Sequence, residues 1–300
     1  MSPLRAVLAD AVSRGAAPPE QPAPETLTGP VVLEELLASL DDLPAQRPVA
    51  ARMVQLTHDE DVSAAQLASV AAADASVTAR LMRLANSAYY GLSGRVRTLG
   101  FAVTVVGFTT VRTIALSAAA GFDSERAVPD GFWERSASAA VAAGELARRF
   151  GLQGPDAFCL GLLSGIGQAL LHRADEREYT RLAGEAVGRH ALAAAERSRY
   201  GVSHVSVSAS ALRAWSFPPD MATALQTLDS WPLGQPADGV DATTRCLLVA
   251  REVADRVTGW GSSGLDARHM SGGRVDEDDL AALARRVPPL AAELVRAVQS

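Results

Sequence analysis

The spacing of apolar residues constrains this chain more than any other feature of its sequence. Apolar side chains recur at intervals of three or four positions, as in Val77, Leu81 and Leu84, which is the period of a helix with one buried face. No alternating run typical of a strand is longer than four residues. Because aromatic residues make up only 5% of the chain, Ala, Leu and Val must fill the core, which favours closely packed helices. The sequence therefore predicts an all-α fold.

Proline, glycine and serine divide this helical pattern into segments. Residues 16–30 read AAPPEQPAPETLTGP, a composition typical of a disordered tether. A second break lies near Pro129, and a Gly- and Ser-rich loop follows residue 258. We therefore predict a Pro-rich leader at 1–30, a domain at 31–258 made of an N-terminal lobe (31–122) and a second lobe (130–258), and a C-terminal helical tail at 259–300 with helices at 276–286 and 288–298.

Local signals predict where individual helices begin and how closely they pack. Side chains that can cap a helix precede apolar periodic runs at Ser63, at Asp74 or Ser76, at Thr98 and at Thr109. Three glycines interrupt a strongly apolar pattern near the middle of the chain, at Gly161, Gly165 and Gly167. We interpret these glycines as points of close helix packing rather than as a phosphate-binding loop.

Charge and hydropathy limit the classes of function that the chain can have. A net charge of −6 argues against a surface that binds nucleic acid over its whole area. The apolar stretch 98–122 is nearly long enough to span a bilayer, but Arg112 lies near its middle, and two helices broken at Gly107 explain it better. The first residues lack the continuous apolar run of a secretory signal. We therefore expect no membrane association and a cytoplasmic location.

Two stretches of the sequence carry a family resemblance. Residues 81–116 read LMRLANSAYYGLSGRVRTLGFAVTVVGFTTVRTIAL, with a helix that ends in Leu-Ala-Asn-Ser-Ala-Tyr and a later Leu-Gly turn. This segment resembles the HDOD family of bacterial signalling proteins, and residues 132–171 and 200–219 are similar to the second half of that family. The resemblance implies two packed helical lobes, of which the second is a degenerate HD phosphohydrolase bundle. It also implies a role in bacterial signal transduction or gene control.

The resemblance also identifies where the metal ligands of an active HD phosphohydrolase would lie. Such a site gathers His and Asp side chains around one or two metal ions, which activate a water molecule. The corresponding positions here are occupied by Arg135, by Ser164 and Gly165, by His204 and by Asp229. One imidazole and one carboxylate are fewer than the three or four ligands that a divalent metal needs. We therefore predict no metal, no cofactor and no catalytic residue, and we expect His204 to cap or pack a helix.

An unusual charge distribution marks the first resembling stretch. No acidic residue lies between Asp74 and Asp123, although that interval contains five arginines: Arg80, Arg83, Arg95, Arg97 and Arg112. Arg80 and Arg83 are predicted to share the helix face opposite Leu81 and Leu84. These arginines could bind phosphates while Tyr89 or Tyr90 stacks on a base, or they could pair with acidic residues such as those at 59–61. Asn86 and Ser87 are expected to hold the end of their helix by side-chain hydrogen bonds.

Three hypotheses for function follow from these observations. The first is a non-enzymatic regulatory module that binds a signalling protein through the groove between its lobes or through the Arg-rich face. The second is a sensor of a nucleotide messenger such as a cyclic dinucleotide, or a nucleic-acid binder, which requires that Arg80, Arg83, Arg95 and Arg97 converge on one pocket. The third is a residual metal-dependent phosphodiesterase.

Overall fold

The helical architecture is visible in a computed structural model, which describes residues 48–57, 59, 61–122, 127–231 and 239–299. Within these ranges the chain forms fifteen α-helices joined by turns, with no β-strand. The predicted all-α fold is therefore confirmed. The leader predicted at 1–30 lies outside the described residues, as does the beginning of the N-terminal lobe.

The N-terminal lobe contains five of these helices. They are α1 (Pro48–Leu56), α2 (Ala64–Ala71), α3 (Ala75–Ala85), α4 (Leu99–Val106) and α5 (Phe108–Ala119), and a 3-10 turn, Ala88–Tyr90, follows α3. Helix α4 packs against α2 and α3, and α5 packs against α1. Helix α5 also packs against α7 (Gly154–Leu163) of the second lobe, so the two lobes share one core.

The second lobe is arranged around one central helix. Its helices are α6 (Phe132–Leu146), α7 (Gly154–Leu163), α8 (Ile166–Ala174), α9 (Glu176–Glu185), α10 (Arg189–Tyr200), α11 (His204–Ala214), α12 (Pro219–Ser230) and α13 (Ala242–Val257). The tail beyond them contains the short α14 (Ala267–Ser271) and the C-terminal α15 (Glu277–Gln299). Helix α6 is central because α7, α13 and α15 all pack against it. Its buried residues are mostly alanine and serine, whose small side chains allow its neighbours to approach closely.

We predicted close helix packing at three glycines, and the structure confirms it at two of them. A Cβ atom on Gly161 of α7 would lie 2.5 Å from the carbonyl oxygen of Ala139 in α6. A Cβ atom on Gly167 of α8 would collide with the backbone of His204. The prediction was wrong for Gly165, where a Cβ atom would meet no atom closer than 3.7 Å. Gly165 instead lies at the break between α7 and α8, as the N-cap of α8.

Most predicted helix starts are confirmed. Side-chain caps are present at Ser63, which forms a reciprocal capping box with Gln66, and at Asp74 and Thr98. The prediction was wrong at Thr109, which lies inside α5 and donates its hydroxyl to Asp156 Oδ1 at 3.2 Å. Gly107 precedes α5 instead, with φ 83°, because the sharp bend between α4 and α5 needs a backbone conformation that glycine adopts easily.

The apolar stretch around Gly107 forms two helices, as the sequence predicts. In the described part of the chain, no single helix has both the length and the apolar composition needed to cross a membrane. Helices α4 and α5 satisfy that test only when taken together, and they are bent by 105° relative to each other.

After the short α14, the C-terminal tail forms one long helix in place of the two that we predicted at 276–286 and 288–298. Helix α15 continues through Pro288 and Pro289. An internal proline costs a helix about 3 kcal/mol, but here one apolar stripe continues across it: Leu280, Leu283, Val287, Ala291, Leu294 and Ala297. This stripe packs against α6, α13 and α3. Glu293 Oε2 also accepts a hydrogen bond from the Ala88 N–H at 2.7 Å, so the tail contacts both lobes.

Candidate functional site

The predicted HD-site positions line two adjacent clefts of the second lobe. Arg135, Ser164 and Gly165 line the first, which we call the Arg135 cleft. His204 and Asp229 line the second, which we call the His190 cleft. Arg251 of α13, which the sequence reading missed, lines both.

The Arg135 cleft is filled by its own arginine. The Arg135 guanidinium lies 4.2 Å from the ring centroid of Trp260, a cation–π contact, and Nη2 donates to Gln168 Oε1 at 3.3 Å and to the Asp130 carbonyl at 3.1 Å. Burial lowers the pKa of Arg135 from its ordinary value. The remaining volume is about 30 Å³, which is room for roughly one or two water molecules. A fixed cation thus occupies the space where the resemblance would place a metal.

A buried ion-pair network lies beside this cleft. Arg189 Nε donates to Asp255 Oδ2 at 2.5 Å, and Arg189 Nη2 lies 3.7 Å from Glu252 Oε2. Burial raises the pKa of Asp255, although the nearby arginines oppose this shift. Burial also favours a raised pKa at Glu252, but hydrogen bonds from Ser262, Ser263 and Arg256 outweigh it and hold that pKa at about 2.

His204 is fully buried and both of its ring nitrogens have partners. Nδ1 lies 2.7 Å from Glu196 Oε2, the same oxygen that accepts the His204 backbone N–H at 2.7 Å, while Glu196 Oε1 accepts from Tyr179 at 2.6 Å. Nε2 lies 3.3 Å from Arg251 Nη2. Since a guanidinium can only donate, Nε2 accepts and Nδ1 carries the proton. This arrangement agrees with the structural role expected for His204, whereas Glu196 was missed.

Asp229 is also engaged in contacts that hold helices together. Its Oδ1 accepts from Arg197 of α10 at 2.5 Å and from the Ser203 hydroxyl, and its Oδ2 accepts from Ser206 at 2.6 Å. The carboxylate thus joins the end of α12 to the start of α11. Among the residues that the structure describes, no group of three or more His, Cys, Asp or Glu side chains is arranged to hold a metal ion.

The arginines of the N-terminal lobe occupy different environments. Arg80 is only 6% exposed, so the prediction that Arg80 and Arg83 share a face opposite the core was wrong for Arg80. Arg112 is 7% exposed, lies 4.5 Å from the ring centroid of Phe217 and donates to the Trp215 carbonyl. Burial lowers the pKa of Arg112 to about 10. Arg95 and Arg97 are exposed, and none of the five arginines lines either cleft.

The polar and aromatic residues after α3 stabilise the turn that they belong to. Asn86 Nδ2 donates to the Val96 carbonyl at 2.9 Å and Asn86 Oδ1 accepts from the Val96 N–H at 3.0 Å, which fixes the loop to α3 as expected. Ser87 was predicted to do the same, but its buried Oγ has no hydrogen-bond partner among the described residues. Tyr89 lies 4.8 Å from Phe158 between ring centroids and 4.9 Å from Tyr90, so both tyrosines are partly buried in an aromatic cluster.

Two exposed phenylalanines follow the exposed arginines along the sequence. Phe101 of α4 is 46% exposed and Phe108, the first residue of α5, is 38% exposed. They are separated by seven residues, and the bend between α4 and α5 at Gly107 lies between them. We call Arg95, Arg97, Phe101 and Phe108 the Phe101 surface. The sequence reading identified its arginines but not its phenylalanines, because their helical positions are compatible with burial.

The fold and the clefts define an all-helical, two-lobed protein of the HD-related class. The HDOD domain family model matches residues 43–229, and the chain therefore belongs to the HDOD domain family. No curated protein has a matching sequence.

Three solved structures have this fold. A protein provisionally described as a phosphohydrolase from Shewanella amazonensis SB2B is 23% identical with a TM-score of 0.61, over 88% of this chain and 97% of that one. A provisional signal transduction protein from Marinobacter aquaeolei VT8 is 20% identical with a TM-score of 0.66, over 99% and 66%. An HDOD domain protein of unknown function from Geobacter sulfurreducens is 19% identical with a TM-score of 0.58, over 90% and 96%.

Proposed function

We propose that this chain is a non-catalytic regulatory module that binds a protein partner through the Phe101 surface. The observation that carries the proposal is the exposure of two phenylalanines and two arginines within residues 95–108, in a stretch of sequence without any carboxylate. Exposed aromatic residues and arginines are enriched at protein interfaces. The partner that fits this surface is an acidic segment with apolar side chains, because its charge complements that of the arginines.

The contacts of the HD-site positions support the non-catalytic part of the proposal. The Arg135 guanidinium is stacked on Trp260, His204 is held by Glu196 and Arg251, and Asp229 is bound by Arg197 and two serines. A phosphodiesterase would need several free ligands around a metal ion. The alternative of nucleotide binding through the N-terminal arginines has less support, since none of them lines either cleft and they do not share one environment.

Quantitative affinity capture from the native cell tests the partner-binding proposal. We expect one protein to be enriched by the wild-type chain and its recovery to fall at least about tenfold with Phe101→Glu and with Arg97→Glu, a loss typical of interface hot spots. Val187→Glu is the matched control, because Val187 is 90% exposed but lies outside the Phe101 surface. If both variants recover the same proteins in the same amounts as the wild type, the proposed surface is wrong.

Metal analysis and a hydrolysis assay test the non-catalytic part separately. We expect less than stoichiometric iron, manganese and zinc in the purified protein, and no hydrolysis of a cyclic dinucleotide when these metals are added. Stoichiometric metal together with hydrolysis would instead establish the residual phosphodiesterase.

A further inference from the structure

The His190 cleft is the largest of the described cavities, and its chemistry is cationic. It has a volume of about 240 Å³ and lies between α10, α11, α12 and α13. Three arginines line it, Arg189, Arg197 and Arg251, together with His190 and a single carboxylate, Asp229. Arg189, Ala193 and Arg197 are four residues apart in sequence, so one face of α10 forms a wall of the cleft.

Arg251 is the residue of this cleft whose environment is hardest to explain without a ligand. Its side chain is buried, with 8% of the residue exposed. Within the described part of the chain, the guanidinium makes one hydrogen bond, to His204 Nε2 at 3.3 Å, and no carboxylate lies within ion-pair distance. A guanidinium has five N–H donors, so most of those on Arg251 lack a protein acceptor. Burial without a direct counter-charge is costly, and it lowers the pKa of Arg251 to about 10.

The carboxylates nearest to Arg251 are already committed to other groups. Asp255 pairs with Arg189, Glu196 binds His204 and Tyr179, and Asp229 binds Arg197 and two serines. Their negative charges attract the Arg251 guanidinium from a distance, but none of them forms an ion pair with it. An anion that entered the cleft would therefore find unused donors on a buried cation.

The titration of His190 is consistent with a positive potential in this cleft. Although His190 is exposed, partial desolvation by the surrounding protein, followed by the positive charges of Arg189 and Arg251, lowers its pKa to about 4. Glu252 opposes this shift, and Arg197 adds to it. An anion bound beside the imidazole would raise its pKa.

From this geometry we infer that the His190 cleft binds a small phosphate-bearing anion, with Arg251 as its buried anchor and His190 at its entrance. Guanidinium groups bind phosphate oxygens with strong, charge-assisted hydrogen bonds. The volume of about 240 Å³ lies below the range of roughly 300–1,000 Å³ that is usual for drug-sized ligands. The cleft therefore suits a phosphate or a mononucleotide phosphate better than a cyclic dinucleotide. This site is separate from the Phe101 surface, so either assignment can fail without the other.

Isothermal titration calorimetry on the full chain tests this site. Inorganic phosphate and adenosine monophosphate are the probes, at low ionic strength. We expect saturable binding of at least one probe by the wild type, and tighter binding of adenosine monophosphate if the natural ligand carries a nucleoside. Affinity should fall at least about tenfold in Arg251→Gln, which removes the anchor charge, and in His190→Glu, which places a carboxylate at the entrance. Arg268→Gln is the control, since its side chain is 73% exposed and lies outside the cleft.

The variants also separate binding from folding. If circular dichroism shows that Arg251→Gln does not fold, the His190→Glu variant alone tests the anion site, because His190 is exposed and its substitution should not disturb the fold. In the wild type, bound anion should move the NMR titration midpoint of His190 upward from about 4. Absence of saturable binding of both probes, or equal affinity of the wild type and His190→Glu, would overturn the inference.

Discussion

At the residue scale, the surroundings of a side chain determine its exposure and its partners more than its residue type does. Arginines that look alike in the sequence are exposed at Arg95 and Arg97 but buried at Arg80, Arg112 and Arg251. The residue types at the HD-site positions are visible in the sequence, and from them we predicted that the metal ligands of an HD phosphohydrolase would be missing. Their partners could not be predicted, because Trp260 and Arg251 come from distant parts of the chain, and Glu196, eight residues before His204, has no characteristic spacing.

The depressed pKa of His190 predicts a pH dependence of stability. The folded value of about 4 lies below the ordinary 6.5, so between these pH values the unfolded chain binds a proton that the folded chain does not. Stability from this group is therefore fully present above pH 6.5 and is lost as the pH falls towards 4.

Urea unfolding at several pH values measures this effect in the wild type and in His190→Gln. We expect the free energy of unfolding to fall less steeply in the variant between pH 6.5 and pH 4. If the free energy of unfolding changes with pH in the same way in both proteins, the pKa of His190 is not lowered in the folded state.

At the element scale, helix ends and close approaches depend on local rules that the sequence displays. Caps at Ser63, Asp74 and Thr98 were predictable because the capping side chain directly precedes its helix. The start of α5 was not predictable in this way, because the bend at Gly107 depends on how α4 and α5 pack rather than on a capping oxygen. The single helix α15 was missed because packing along its apolar stripe outweighs the local preference of Pro288 and Pro289.

The contact of α6 with α7 can be probed at one glycine. Gly161→Ala should destabilise the protein by about 1–3 kcal/mol, because its Cβ atom would overlap the Ala139 carbonyl. Gly184→Ala in α9 is the matched control, since no atom lies within 4 Å of the Cβ position there, and it should be neutral or stabilising by up to about 1 kcal/mol. Urea denaturation measures both, and equal effects would contradict the close packing.

At the scale of the whole molecule, α15 connects the two lobes. Leu294 lines a small apolar pocket with Leu84 of α3, Ile114 of α5 and Trp133 of α6. The two-lobed fold was predictable from the family resemblance, but this role of the tail was not. The tail lies beyond the stretch that resembles the family, and only the assembled structure brings its stripe to both lobes.

A change in this stripe should therefore affect the entire protein. Leu294→Ala is expected to cost about 2–5 kcal/mol, and tryptophan fluorescence and far-UV circular dichroism should report one common transition. Arg285→Ala, at an exposed position of the same helix, should leave the transition within about 0.5 kcal/mol of the wild type. Separate transitions for the two signals would indicate that the lobes unfold independently.

The stack of Arg135 on Trp260 also bears on what a metal ion would require in this part of the fold. Replacing the arginine with a histidine would supply one nitrogen ligand, but it would remove a cation that Trp260 and Gln168 contact. Asp229 would still be tied to Arg197, and the glycine and serine between α7 and α8 would still offer no ligand. A metal site at these positions would thus require several substitutions together, because restoring one ligand would leave the other positions committed to their present contacts.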